Sequence, residues 1–430
     1  MTTAKRSDDS ALQAAQKEIA GKLERLRTVR PVMLDLTIRE PATGSPLGHT
    51  LADKHTLLRL SQELGFNRRV VATLAGPETV DDRFCQDLRA SGADLSGAFV
   101  FVMPGARDGA GAFVPDVSLE KQAAFGSPNS IFHFEFSRPR RERAGRSGEE
   151  TLANLEESVA WIRQRTGGDV FINLSDVMDC FRDEPDYASE VARRVAALAP
   201  EGLMYEDPRG TQFPFQHGAV TRWLRHHFAP PTLILVHPHA GNGMEHASVI
   251  ESVLAGGDGA WLGFTSHAAT LGHASGIAYL VNLMRADNEQ VEETYAATRF
   301  VPAAQAIAEV HSGGPPPLTE PVAGEWAYRD VLDNFTQAHG QPGDIVAARV
   351  GAKGGWRLVP AIASAAAVAK RLVETGIEPA ATAQSDLAKH MADAIRQSLL
   401  AGHKRPWDDG AELARLAEQV RQQMKQQAAE

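Results

Sequence analysis

Eight short apolar runs, separated by helix-like segments, leave this chain few architectures. The runs are VMLDLTI (32–38), RRVVATLA (68–75), GAFVFVM (97–103), SIFHFEFS (130–137), DVFINLSD (169–176), GLMYEDP (202–208), TLILVHPHA (232–240) and GAWLGFTS (259–266). Gly, Pro, Asp or Asn bounds each, as expected of strands. Between them lie segments such as ETLANLEESVAWIRQRTGG and DYASEVARRVAALAPEG, with apolar residues at the three- and four-residue spacing of amphipathic helices. Eight strand–helix units recurring every ~27–39 residues is the cadence of a barrel of about 250 residues. A doubly wound open sheet competes, but no G-x-G-x-x-G opens the first helix and the later strands carry no nucleotide fingerprint. The expected fold is therefore α/β, a (β/α)8 TIM barrel with a C-terminal, mostly helical extension.

The punctuation divides the 430 residues further. Residues 1–29 read as a charged helical lead-in, and 30–310 as the barrel. EVHSGGPPPLTEP (309–321) supplies a Gly/Pro-rich connector, with 311–321 as the linker. Residues 322–430 form a helical subdomain carrying AIASAAAVAKRLVETG and DLAKHMADAIRQSLL. A formal net charge of −10 argues against a nucleic-acid partner, which wants a concentrated basic surface. Cys85 and Cys180 form neither a disulfide framework nor a thiolate metal site and suit a reducing compartment. The N-terminal stretch lacks the apolar core of a secretory signal, and no window approaches the roughly 18 apolar residues of a membrane span. A cytoplasmic protein with no membrane partner is expected.

Barrel enzymes carry their reactive groups at the C-terminal ends of the strands. Here the first strand closes with Asp35, Thr37, Arg39 and Glu40, the sixth with Tyr205, Glu206 and Asp207, and the seventh with His237 and His239. His237 and His239 are two apart on a strand, so their side chains share a face. Two imidazoles there either end the strand with ordinary hydrogen bonds or share a divalent cation, with a carboxylate from a facing strand completing the set. Arg39–Glu40 taken alone reads equally as an ion pair at the rim. His133 and Glu135 alternate with Phe132, Phe134 and Phe136 and can point inward; His267 and His273 are further imidazoles near the mouth. The arginines of SRPRRERAGRSGEE (137–150) either hold an anionic substrate or decorate a solvated loop.

These residues resemble a family, the metal-dependent barrel enzymes that include isopropylmalate, citramalate and homocitrate synthases, with hydroxymethylglutaryl-CoA lyase as a cousin. The family's D-x-T-L-R-[DE]-G is matched by DLTIREP, and its H-x-H by VHPHAGNG. GEWAY (324–328) resembles the G-E-N-A-F that opens the synthases' second subdomain, which lyases lack. The resemblance implies Glu40, His237 and His239 as ligands of a divalent ion (Mg, Mn, Zn, Fe or Co). It implies Arg39 as the group stabilising developing negative charge, and places Arg39, His133, Glu135, Glu206 and Asp207 around the substrate. It also implies small-molecule substrates, a 2-oxo acid with an acyl-CoA, and a homodimer.

Several positions depart from that pattern. In GHASGI, Ile277 stands where the family has a metal-proximal asparagine, while His273 replaces a glutamate and can supply a ligand instead. Asp207–Pro208 replaces a D-T pair. Asp330 occupies the place of the synthases' acid/base histidine, with Tyr328 and His339 as substitutes, so Asp330, Arg39 and Asp207 form the expected catalytic set. The expected activity is a Claisen-type condensation of an acyl-CoA with a 2-oxo acid. A metal-dependent lyase, aldolase or decarboxylase on the same barrel is the alternative, and a catalytically inactive binding subunit the third reading.

Overall fold

The computed structural model describes residues 9–269, 271–330, 345–408 and 410–429. They divide into two compact units: residues up to 317 with 321–323, and the remainder.

The first unit is a closed barrel in which every strand pairs in parallel with its chain neighbours, as the sequence cadence predicts. Its strands are β1 (Val32–Asp35), β2 (Arg69–Thr73), β3 (Ala98–Val102), β4 (Asn129–Phe134), β5 (Val170–Leu174), β6 (Gly202–Asp207), β7 (Leu233–Pro238) and β8 (Gly259–Leu262). β8 closes on β1 over Val32–Asp35. Buried parallel strands read as near-continuous apolar runs. Here alternate residues, Leu34, Val70, Phe99, Phe101, Ile131, Phe171, Met204, Leu235 and Trp261 among them, fill the barrel interior. The intervening residues face the surrounding helices.

Those helices start where the chain supplies caps. Thr50 with Asp53, Thr79 with Asp82 and Ser147 with Glu150 form reciprocal capping boxes at helices Leu51–Glu63, Val80–Ala90 and Gly148–Thr166. Helix Ser10–Thr28 also belongs to this unit, and Arg25 anchors it through hydrogen bonds to the Val253 and Gly257 carbonyls.

The second unit is mostly helical. Helices Ala365–Glu374, Asp386–Leu400 and Gly410–Gln427 share a core of Leu372, Met391, Ile395 and Leu413, sealed by Trp356 and Trp407. Asp330 lies here in a two-residue parallel strand pair, Arg329–Asp330 with Gly355–Trp356. His339 lies outside the described residues.

Candidate metal centre

The D-x-T-x-R-E stretch does two jobs, divided by residue. Asp35 Oδ1 accepts from the Thr37 N–H at 3.0 Å, and the same carboxylate takes the Ser61 hydroxyl of the neighbouring helix. Thr37 Oγ1 accepts the Phe264 N–H at 2.9 Å, locking the end of β1 to the segment that follows β8. Burial pushes the Asp35 carboxyl up from its ordinary value. Asp35 and Thr37 are thus structural, and the next two residues face the mouth.

Arg39 stacks its guanidinium over the Phe101 ring, 4.4 Å from its centroid, and donates from Nε to Thr73 Oγ1 at 2.7 Å. Its Nη1 pairs with Glu40. A buried support lies behind. Lys54, 1% exposed, donates to the Ile38 carbonyl at 3.2 Å and pairs with Asp81, whose carboxylate accepts the Thr73 N–H at 2.6 Å. Thr73, Lys54 and Asp81 were not legible as site residues, because their part depends on three separate elements meeting.

His237 and His239 close β7 as the two-residue spacing predicts. His237 Nδ1 lies 2.7 Å from the Trp261 carbonyl and His239 Nδ1 3.2 Å from the Leu271 carbonyl. A carbonyl only accepts, so both Nδ1 atoms carry the proton and both Nε2 atoms present lone pairs. Those lone pairs face each other at 3.2 Å. The Glu40 carboxylate joins them, with ligand atoms of all three residues within 4.8 Å of one another. Two imidazoles oriented by backbone carbonyls, with a carboxylate in reach of both, fit a divalent cation.

The electrostatics agree. Burial disfavours the Glu40 charge, but the Arg39 guanidinium beside it counters that, and its pKa is held at about 2. Burial, with His239 and His273 beside it, holds His237 well below its ordinary value, so the ring is a neutral donor. His273 sits 5.1 Å from the His237 ring but is already engaged: Nδ1 donates to the Ala274 carbonyl at 2.7 Å and Nε2 accepts the Gly263 N–H at 3.3 Å. Ile277 is buried in the helix that follows.

The glycines behind the histidines answer a packing need. A Cβ on Gly210, at φ +60°, would lie 2.2 Å from Gly241 N, and one on Gly241 would lie 2.1 Å from the Arg209 carbonyl. The loops after β6 and β7 therefore close on each other only without side chains, which holds His239 in place.

The other expected residues divide. Glu206 alternates with the interior Met204 and stands directly opposite His237 in the strand register, with the Ser175 hydroxyl on its carboxylate. His133 points inward, its ring 5.4 Å from Phe101, between Asn173 at 3.5 Å and Glu135 at 3.6 Å. Hydrogen bonding to His133, with Arg140 nearby, lowers the Glu135 pKa. Asp207, expected beside the substrate, faces the helices instead. Strand alternation turns it outward with Tyr205, and its carboxylate accepts the Gln212 N–H at 2.7 Å, 3.9 Å from buried His217. In the loop after β4, Arg138 and Arg141 pair with Glu184.

No family model matches the chain, and no curated protein matches it in sequence. Solved structures do. HMG-CoA lyase from Bacillus subtilis aligns with TM-score 0.53 at 17% identity, over 68% of this chain and 96% of that one. This barrel is built on the HMG-CoA lyase fold. An HMG-CoA lyase from Acinetobacter baumannii, in complex with coenzyme A and 3-methylmalate, aligns with TM-score 0.52 at 11% identity, over 67% of this chain and 93% of that one. The carboxyl transferase domain of Rhizobium etli pyruvate carboxylase aligns with TM-score 0.50 at 12% identity, over 91% of this chain and 65% of that one. At such identities the likeness to HMG-CoA lyases is one of fold, and the chemistry must come from the residues.

Proposed function

We propose that this protein is a divalent-metal-dependent enzyme that makes or breaks a C–C bond next to a carbonyl, and specifically that it condenses an acyl-CoA with a 2-oxo acid. The observation that carries the reading is the convergence of Glu40, His237 and His239, with Arg39 alongside. A cation held by these three would act as a Lewis acid on the carbonyl of a 2-oxo acid.

The chain's own groups supply the rest. Thr73 and Phe101 hold the Arg39 fork, and its remaining N–H groups stabilise negative charge developing on the reacting oxygen. Phe101, Trp261 and the strands beneath wall the floor of the site with apolar surface, which strengthens those interactions. His133, with the Glu135 carboxylate 3.6 Å from its Nε2, moves a proton at the mouth. Glu206 lines the wall beside His237.

The G-E-W-A-Y segment and the helical second unit favour condensation over cleavage. Cleavage is the second reading, favoured by a barrel that follows HMG-CoA lyases over nearly their whole length. Thiol release measured with Mn²⁺, a panel of acyl-CoAs and a panel of 2-oxo acids separates them. Release only when both substrates are present supports condensation; a 2-oxo acid, acyl-CoA or carbon dioxide formed from a single substrate overturns it in favour of the lyase.

A further inference from the structure

Glu206 closes β6 with a carboxylate that the protein itself leaves half used. Met204, two residues earlier, fills the barrel, and alternation sets Glu206 on the same inner face one level higher, at the C-terminal mouth. The strand register places it directly opposite His237. The Ser175 hydroxyl donates to Oε1. Among the described residues Oε2 has no hydrogen-bond partner, and the carboxylate has no ion-pair partner.

Oε2 is also open. Asn173 Oδ1 and Trp261 Nε1, on the inner faces of β5 and β8, are partnerless and sealed from solvent; Oε2 is partnerless without being sealed. Glu206 is 8% exposed, against none for Met204 and Tyr205 before it and 1% for Asp207 after it. For an inward-pointing residue at a strand end, that open surface faces the mouth. Glu206 stands outside the trio whose ligand atoms cluster within 4.8 Å, so its free oxygen is left for the molecule that the ion holds. A carboxylate only accepts, so that molecule must bring an O–H or N–H donor. Charge narrows the choice. A divalent ion and the Arg39 guanidinium are balanced by Glu40, Glu206 and the carboxylate of one 2-oxo acid. A hydroxyl keeps that balance, an ammonium would leave a positive charge over, and a second carboxylate would meet Glu206 with like charge.

We infer that Glu206 is a specificity-determining residue, and that the 2-oxo acid it selects is monoanionic and carries a hydroxyl on its chain. The hydroxyl donates to Oε2 while the carboxylate end stays with the ion. The inference rests on the proposed metal-dependent function and adds the class of 2-oxo acid to it. Ser175, by occupying Oε1, leaves Oε2 as the acceptor. A hydrogen bond to a charged acceptor is among the stronger ones, so its loss is measurable.

Two pairs of acids, matched in size, test it by calorimetry on the full chain loaded with Mn²⁺. Hydroxypyruvate is compared with 2-oxobutyrate, and 4-hydroxy-2-oxobutyrate with 2-oxopentanoate; within each pair a hydroxyl replaces a methyl. In at least one pair the hydroxy acid is expected to bind about tenfold tighter or more. In Glu206→Leu that advantage should shrink to within about twofold, with bound metal unchanged by elemental analysis. Glu206→Gln keeps the shape and loses the charge, so the advantage should be reduced there too; it decides the matter if circular dichroism shows that the leucine variant does not melt natively. If the wild-type chain prefers neither hydroxy acid, or the preference survives undiminished in the folded variant, the inference is overturned while the metal centre stands. If none of the four acids binds, the metal-dependent reading fails and the inference falls with it.

Discussion

The two Nε2 atoms 3.2 Å apart are the most telling atoms in the molecule, because a cation between them is bound by both once their Nδ1 atoms donate to backbone carbonyls. His237→Ala should therefore reduce bound metal from about one equivalent to a trace by elemental analysis, since two remaining ligands hold a divalent ion poorly. Unchanged metal content would refute the centre. Arg39→Lys probes the neighbouring role. A lysine can keep the charge but cannot stack on Phe101, reach Thr73 and pair with Glu40 together. Metal content should survive while turnover falls by about 10²-fold, the cost of one displaced electrostatic donor. At this scale the sequence was readable where chemistry has a spacing, as in H-x-H and R-E. It was misleading for Asp207, whose neighbour Glu206 takes the interior face because residues alternate along a strand.

Elements meet around the site through buried polar contacts that no linear pattern announces. Lys54 on one helix, Asp81 on the next and Thr73 on β2 form a support that ends on Arg39. Lys54→Met takes the buried ammonium from the partly exposed Asp81 carboxylate, so the urea midpoint should drop by the equivalent of about 1–3 kcal/mol. A change below about 1 kcal/mol would show the pair to be solvated. The loop closures are similar in kind. The need for glycine at 210 and 241 appears only when the two loops approach to where a Cβ would overlap the opposing backbone. His273, a candidate ligand by position, is engaged by two hydrogen bonds, to Gly263 and Ala274, that appear only once the chain folds.

For the whole molecule, several buried imidazoles set the response to acid. His49 and His217 are held near about 4 and His311 near about 2, against an ordinary 6.5, by burial first of all. A base whose folded pKa is depressed binds fewer protons folded than unfolded, so its stabilising effect is complete above 6.5 and lost as pH falls toward the folded value. Stability measured in urea should thus fall steadily from pH 7 to pH 5, and His217→Gln should flatten that slope; a flat wild-type profile would contradict the burial of these rings. Metal acts in the opposite sense. Mn²⁺ at about a hundred times its Kd should stabilise the barrel by about 2.7 kcal/mol and raise its melting temperature by a few degrees, with no shift in His237→Ala. The barrel itself was legible because strand and helix periodicities are local, and eight repeats of them close in one favourable way. The residues at strand ends were legible for the same reason, since alternation decides which face a side chain takes. What only the folded molecule decided is which of those groups meet: that His237 and His239 bring their Nε2 atoms within reach of Glu40, and that Lys54 stands behind Arg39. Such meetings join residues up to some two hundred positions or more apart, and depend on packing among elements, which leaves no periodic trace along the chain.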